Sequence, residues 1–140
     1  MNFIWFAFLA MLCWGSAPIV DKLLLRSISP LAATMVRGLV VAIMMSGAVV
    51  FSGQLGELRS LNWKVFGLIA VSALLAGALG QWAFYMALKP GRAALVVPIV
   101  AAYPIVTAIF GITLLGESLS LLRGVGVLLV VAGVVLLKTG

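Results

Sequence analysis

Histidine is absent from these 140 residues, cysteine occurs once, at Cys13, and the carboxylates number three: Asp21, Glu57 and Glu117. Most hydrolytic and metal-dependent chemistry needs an imidazole or converging acids. One cysteine excludes an intrachain disulfide and a thiolate metal cluster. The sequence therefore predicts a chain that is not an enzyme and that carries no metal or cofactor. All three acids read as lying at or beyond helix ends, with none deep in an apolar run, and Cys13 reads as a small buried hydrophobe. What remains are isolated polar and aromatic groups set in apolar sequence, which is chemistry for recognition rather than for bond making.

Arg37 stands about six residues into an apolar run, roughly 9 Å along a helix axis. It either snorkels to the nearer interface or faces a bundle interior, where charges within the membrane carry function. Gln81 and Tyr85 are four apart and share one helical face. A polar amide at that depth is either a helix–helix hydrogen bond or a ligand contact. Pro98 and Pro104 each remove a backbone donor and leave the carbonyls of Ala94 and Val100 without their helical partners. That pattern is either a packing kink or a broken helix of the kind that builds transporter sites. Tyr103 adds a hydroxyl that seeks a partner when buried. Trp14-Gly15-Ser16, with Pro18 following, predicts a bend and an aromatic wall, whereas Trp5 reads as an interfacial anchor.

The elements that hold these groups are apolar runs. Hydrophobic residues make up 65% of the chain and charged residues 9%, against about a quarter charged in soluble domains, so a water-facing surface cannot be assembled. Residues 31–51 contain one charge and residues 93–115 none, and about 20 apolar residues suffice for a helix to cross the hydrocarbon core. The runs are too long, and alternate too little, for membrane strands. The expected fold is all-α and integral to a membrane, a single domain over 1–140 with five transmembrane helices at about 3–20, 31–51, 65–88, 93–115 and 121–137. The first run lacks a basic leader and reads as a retained span rather than a signal peptide. Lys89-Pro90-Gly91-Arg92 is a strong break. Ala73, Ala76, Gly77 and Gly80 allow close helix contact, and the last run reads as a packing or dimerisation helix. Glu117 reads as a structural acid near the positive end of that last helix.

The net charge of +6 is scattered and forms no nucleic-acid patch. Lys22, Arg26, Lys89, Arg92 and Lys138 fall on one side of the five-span topology. Arg59, Lys64 and Arg123 fall on the other, with the terminal amine. The positive-inside rule favours a cytoplasmic C-terminus, but five against three is a weak bias, as expected of a protein inserted in both orientations.

Taken in order, several motifs resemble an EamA domain of the drug/metabolite transporter superfamily. They are Trp14-Gly15-Ser16, Arg37, Ala87-Leu88-Lys89-Pro90-Gly91-Arg92-Ala93-Ala94, Pro104, Leu115-Gly116-Glu117-Ser118, and Gly124 and Gly133 in the last helix. The resemblance spans nearly the whole chain. It implies an exporter or permease for small metabolites, such as amino acids or drug-like solutes, in a bacterial inner membrane. It implies one EamA-like unit, a half-transporter that needs a second copy and works by alternating access as a homodimer, with an antiparallel pair fitting the charge bias. The implied substrate-binding set is Trp14, Ser16, Arg37, Gln81, Tyr85, Pro98, Tyr103 and Pro104. Its partners would be a small-molecule substrate and membrane lipid, with no nucleic acid. Two alternatives stay open: a flippase for a lipid-linked sugar, and a non-transporting membrane assembly partner.

Overall fold

The computed structural model describes residues 3–118 and 120–139, and every regular element among them is helical. Two compact units divide the chain, Met1–Pro90 and Gly91–Gly140.

The first unit holds three spans. α1, Phe3–Leu24, runs unbroken through Gly15 and Pro18. It therefore carries Asp21 and Lys22 in its last turn, where the sequence places them beyond a helix ending at residue 20. α2, Pro30–Phe51, starts where proline costs least: Pro30 has no N–H to lose at the first helical position, and Ser29 Oγ accepts the Ala32 N–H at 3.3 Å. The connector expected over residues 52–62 contains a short helix, α3, Leu55–Arg59. Asn62 then caps α4, Trp63–Ser72, its Oδ1 accepting the Val65 N–H at 2.9 Å. The third span continues without a break as a π-helical stretch, Ala73–Gly80, and then as α5, Gln81–Leu88. At 1.5 Å per residue the 22-residue helices α1 and α2 are about 33 Å long, enough to cross about 30 Å of hydrocarbon.

The core of this unit lies at one end. There the close of α1, the opening of α2 and the close of α5 meet, and Leu25, Ala33, Tyr85 and Leu88 are buried. Lys22 Nζ donates to the carbonyls of Leu88 and Lys89 at 2.7 and 2.9 Å, and Lys89 Nζ donates to the Ile28 carbonyl at 3.2 Å. Lys22, counted as an orientation signal, thus also satisfies carbonyls that the end of α5 leaves open, and Lys89, counted with it, satisfies one in the α1–α2 connector. The side chains of Arg59, Arg123 and Lys138, which enter the same charge count, lie outside the described residues. Cys13 is exposed, contrary to its reading as a buried hydrophobe, because α1 turns that face outward.

The second unit opens with the fourth apolar run, which is broken. α6, Ala93–Val100, contains Pro98 and ends at a turn through Ala101, Ala102 and Tyr103, and α7, Pro104–Leu115, restarts on its proline. Proline at position 104 cannot donate to Val100, so that carbonyl takes the Tyr103 N–H instead, at 3.1 Å. Gly116 then adopts a left-handed conformation (φ 66°), and the Glu117 N–H reaches the Gly111 carbonyl at 3.0 Å. The fifth helix is α8, Leu121–Thr139, 19 residues that include the apolar stretch Gly124–Leu137, and the other four runs are long and apolar enough to cross a membrane.

Two caps are accessible to mutation. Asn62→Ala is expected to cost about 1 kcal/mol, the usual worth of an N-cap side chain. Gly116→Ala is expected to cost a similar ~1 kcal/mol, because an L side chain is disfavoured at this positive φ. Both are read as falls in Tm of the detergent-solubilised protein.

Candidate functional site

An arginine within an apolar span needs a partner for its charge. The connector between α1 and α2 is short, so residues near the two facing helix ends lie side by side. Asp21 sits one turn from the end of α1, and Arg37 about two turns into α2. The long guanidinium stem spans the remaining difference in height. Arg37 Nη1 donates to both Asp21 oxygens, at 3.1 and 3.2 Å. Tyr85, projecting from α5, completes the group. Its hydroxyl donates to Asp21 Oδ1 at 2.9 Å and accepts from Arg37 Nη1 at 3.1 Å. One residue from each of the three spans of this unit converges on a single point.

The burial is uneven. The Asp21 side chain is 7% exposed and that of Arg37 40%. A guanidinium has five N–H donors in a planar fork, and here the hydrogen bonds all run through Nη1; Nε and Nη2 make none among the described residues. Arg37 lines an open cleft of about 400 Å³ together with Asp21 and Tyr85. The rest of its wall is aliphatic: Leu24, Ile28, Ala33, Val36, Val40 and Val41. The cleft therefore combines one polar cluster with an aliphatic lining, a composition suited to a solute with an acceptor group and an apolar body. Among the described residues no cluster of His, Cys, Asp and Glu has the makings of a metal site.

The sequence-derived candidates separate on this geometry. Arg37 and Tyr85 come together, and Asp21, which was set aside as a helix-end acid, is the residue that joins them. The signal for it was available: the acid and the base flank one tight connector, and an unpaired arginine at that depth has few other partners. Gln81 lies one turn from Tyr85 and is half-buried, and its side chain makes no hydrogen bond among the described residues. Trp14 is 68% exposed, away from the cleft. Ser16 uses its hydroxyl on its own helix, donating to the carbonyls of Leu12 and Cys13 at 2.8 and 3.2 Å. Pro98, Tyr103 and Pro104 belong to the second unit and form the break in the fourth run, where Tyr103 is exposed. Glu117 folds back over buried Gly111, where an added Cβ would stand 2.9 Å from its Oε2.

Removing one member of a buried ion pair leaves the other charge stranded, which costs more than the pair contributes. Because Arg37 is partly exposed, Arg37→Gln and Asp21→Asn are each expected to cost about 2–4 kcal/mol, toward the low end of the usual range. The double variant is expected to cost clearly less than the two singles added together. Thermal unfolding of all four proteins in one detergent gives the cycle, and strict additivity would show that the pair is not coupled.

The EamA-like transporter family matches residues 1–139. An uncharacterized transporter in the cobO 3′ region of Sinorhizobium sp is 35% identical over 106 residues, which are 75% of this chain and 74% of the relative. An uncharacterized protein of Methanocaldococcus jannaschii is 34% identical over 75 residues, 54% of each chain. No solved structure matches. With its helices of membrane-spanning length and a family match over nearly every residue, this integral membrane protein belongs to the EamA-like transporter family.

Proposed function

We propose that the protein carries small metabolites, amino acids or drug-like solutes among them, across a bacterial inner membrane by alternating access, as one half of a two-unit carrier. The observation that carries this reading is the floor of the cleft. Arg37 is held in place by Asp21 and Tyr85, yet keeps donors free for a solute. Ion pairs within a membrane mark solute paths, and the three-span network is small enough to be made and broken within a transport cycle. Gln81, Trp14, Ser16, Pro98, Tyr103 and Pro104 are the remaining members of the proposed substrate path.

The second half of the carrier is a second copy of the chain. The break in the fourth run supports this. The Ile105 N–H turns to the Ala102 carbonyl at 3.1 Å and so passes over that of Ala101, its usual helical acceptor, while the adjoining Tyr103 is exposed. Irregular backbone at membrane depth is tolerated only against protein or a water-filled cavity, and a second copy supplies either. The Sinorhizobium relative, by the two matched shares, is nearly equal in length to these 140 residues. The weak charge bias fits an antiparallel pair.

A second reading draws on the same cleft. Its open side and aliphatic wall also suit an amphiphile with its head on Arg37, which is the geometry a flippase for a lipid-linked sugar requires.

Purified protein in proteoliposomes is expected to move at least one of a panel of labelled amino acids and drug-like solutes. Gln81→Ala combined with Tyr85→Phe should lower that rate about tenfold, with expression unchanged. Movement of a fluorescent polyprenyl-phosphate sugar, with none of the soluble solutes carried, would favour the flippase. Failure to move either class would overturn both. Reporters fused to the C-terminus, one active only inside the cell and one only outside, should both be active; activity of one alone would exclude the antiparallel pair.

A further inference from the structure

The direction in which Tyr85 points is fixed by the backbone that precedes it. Between α4 and α5 the third span winds as a π-helix for eight residues, Ala73–Gly80. A π-turn closes its hydrogen bond five residues back rather than four, so such a stretch accommodates one residue more than the α-helix it interrupts. One α-helical residue corresponds to a rotation of about 100°. The azimuth of α5 relative to α4 therefore depends on whether this stretch is wound as π or as α.

A single position inside the stretch decides which winding is possible. A Cβ on Gly80 would lie 2.6 Å from the Leu75 carbonyl oxygen, a backbone atom that no side-chain movement can take out of the way. Gly77, three residues earlier in the same stretch, has nothing within 4 Å of its Cβ position. The two glycines are thus not equivalent. Gly77 tolerates a methyl group, whereas Gly80 is needed for this backbone to exist.

We propose that Gly80 is a positioning residue for the candidate site: by admitting the π-helical stretch it holds α5 at the azimuth that brings the Tyr85 hydroxyl onto Asp21 and Arg37. If the stretch is wound as an α-helix, α5 turns by about 100°. Tyr85 then leaves the pair, and its bonds to Asp21 at 2.9 Å and Arg37 at 3.1 Å are lost. The importance of this for transport rests on the function proposed above, but the geometry does not, and it is tested without a transport assay.

The full-length chain is spin-labelled at Met86→Cys on α5 and Leu39→Cys on α2, both exposed positions, in a Cys13→Ala background. It is diluted with unlabelled chain so that only distances within one molecule are read. Gly80→Ala is expected to move the distance by about 5 Å, the displacement of a side chain when a helix of 2.3 Å Cα radius turns by one residue step. Gly77→Ala should leave it unchanged. Deleting Ala78 removes the extra residue, so an all-α span then presents Tyr85 at its original azimuth and the distance stays within about 1–2 Å, one residue rise. An unmoved distance in Gly80→Ala, or a shift of about 5 Å on deletion of Ala78, would overturn the proposal. If Gly80→Ala does not insert, the deletion variant decides alone. In vesicles, Gly80→Ala and Tyr85→Phe together should lose no more than the worse of the two singles. A moved distance with transport intact would uphold the positioning and count against the site.

Discussion

An arginine inside a hydrocarbon layer must find its counter-charge there, and the structure of the first unit follows from where it finds it. Moving a bare guanidinium or a bare carboxylate out of water costs several kcal/mol each. Arg37 and Asp21 cancel that cost only while they touch, and the geometry needed for contact is exacting. α1 has to continue one turn past residue 20 for Asp21 to be inside the helix rather than in a flexible connector. α2 has to begin abruptly at Ser29-Pro30 so that Arg37 lies at the right height. α5 has to end beside both, and Lys22 holds it there through the carbonyls of Leu88 and Lys89. The buried apolar residues Leu25, Ala33 and Leu88 gather around this point, while the faces of the same helices farther from it are exposed.

The pair is also unsymmetrical, and the function proposed above rests on that asymmetry. A purely structural ion pair would satisfy the whole arginine fork against the carboxylate, two nitrogens to two oxygens. Here a single nitrogen serves both Asp21 oxygens and Tyr85, and Arg37, partly exposed, lines an open cleft. Replacing a buried pair by well-packed apolar residues is often neutral or stabilising. Stability alone therefore gives no reason to keep one, whereas a half-satisfied donor set facing a cleft does.

Much of this was legible in the sequence, and the parts that were not share one cause. Residue 37 stands alone as a charge between Leu31 and Phe51, so its importance follows from composition. Tyr85 follows from its helical spacing to Gln81, and the break in the fourth run from Pro98 and Pro104. Asp21 was missed because a helix boundary misplaced by four residues converts a buried partner into a solvated end, and helix ends are where local sequence carries least information. The outward face of Cys13 was missed for a related reason. In a chain this apolar, hydrophobicity does not distinguish the protein interior from the lipid side, so the usual expectation for cysteine has nothing to act on. The π-helical stretch left no mark at all: Ala, Leu and Gly suit an α-helix as well, and only the clash awaiting a Cβ at residue 80 reveals it.

Both units interrupt a span, and they do so by different means for a physical reason. The fourth run uses proline, which removes a donor and so leaves a carbonyl to be satisfied from outside the helix. The third span uses a change of winding, in which every amide can still bond within the helix. The first device needs water or a partner at the backbone; the second needs neither, and residues 73–80 are exposed along their whole length. A span bordered by hydrocarbon can alter the direction of its last two turns only by a route that frees no backbone group. Gly80 opens that route, and it places the one hydroxyl of α5 against the Arg37–Asp21 pair.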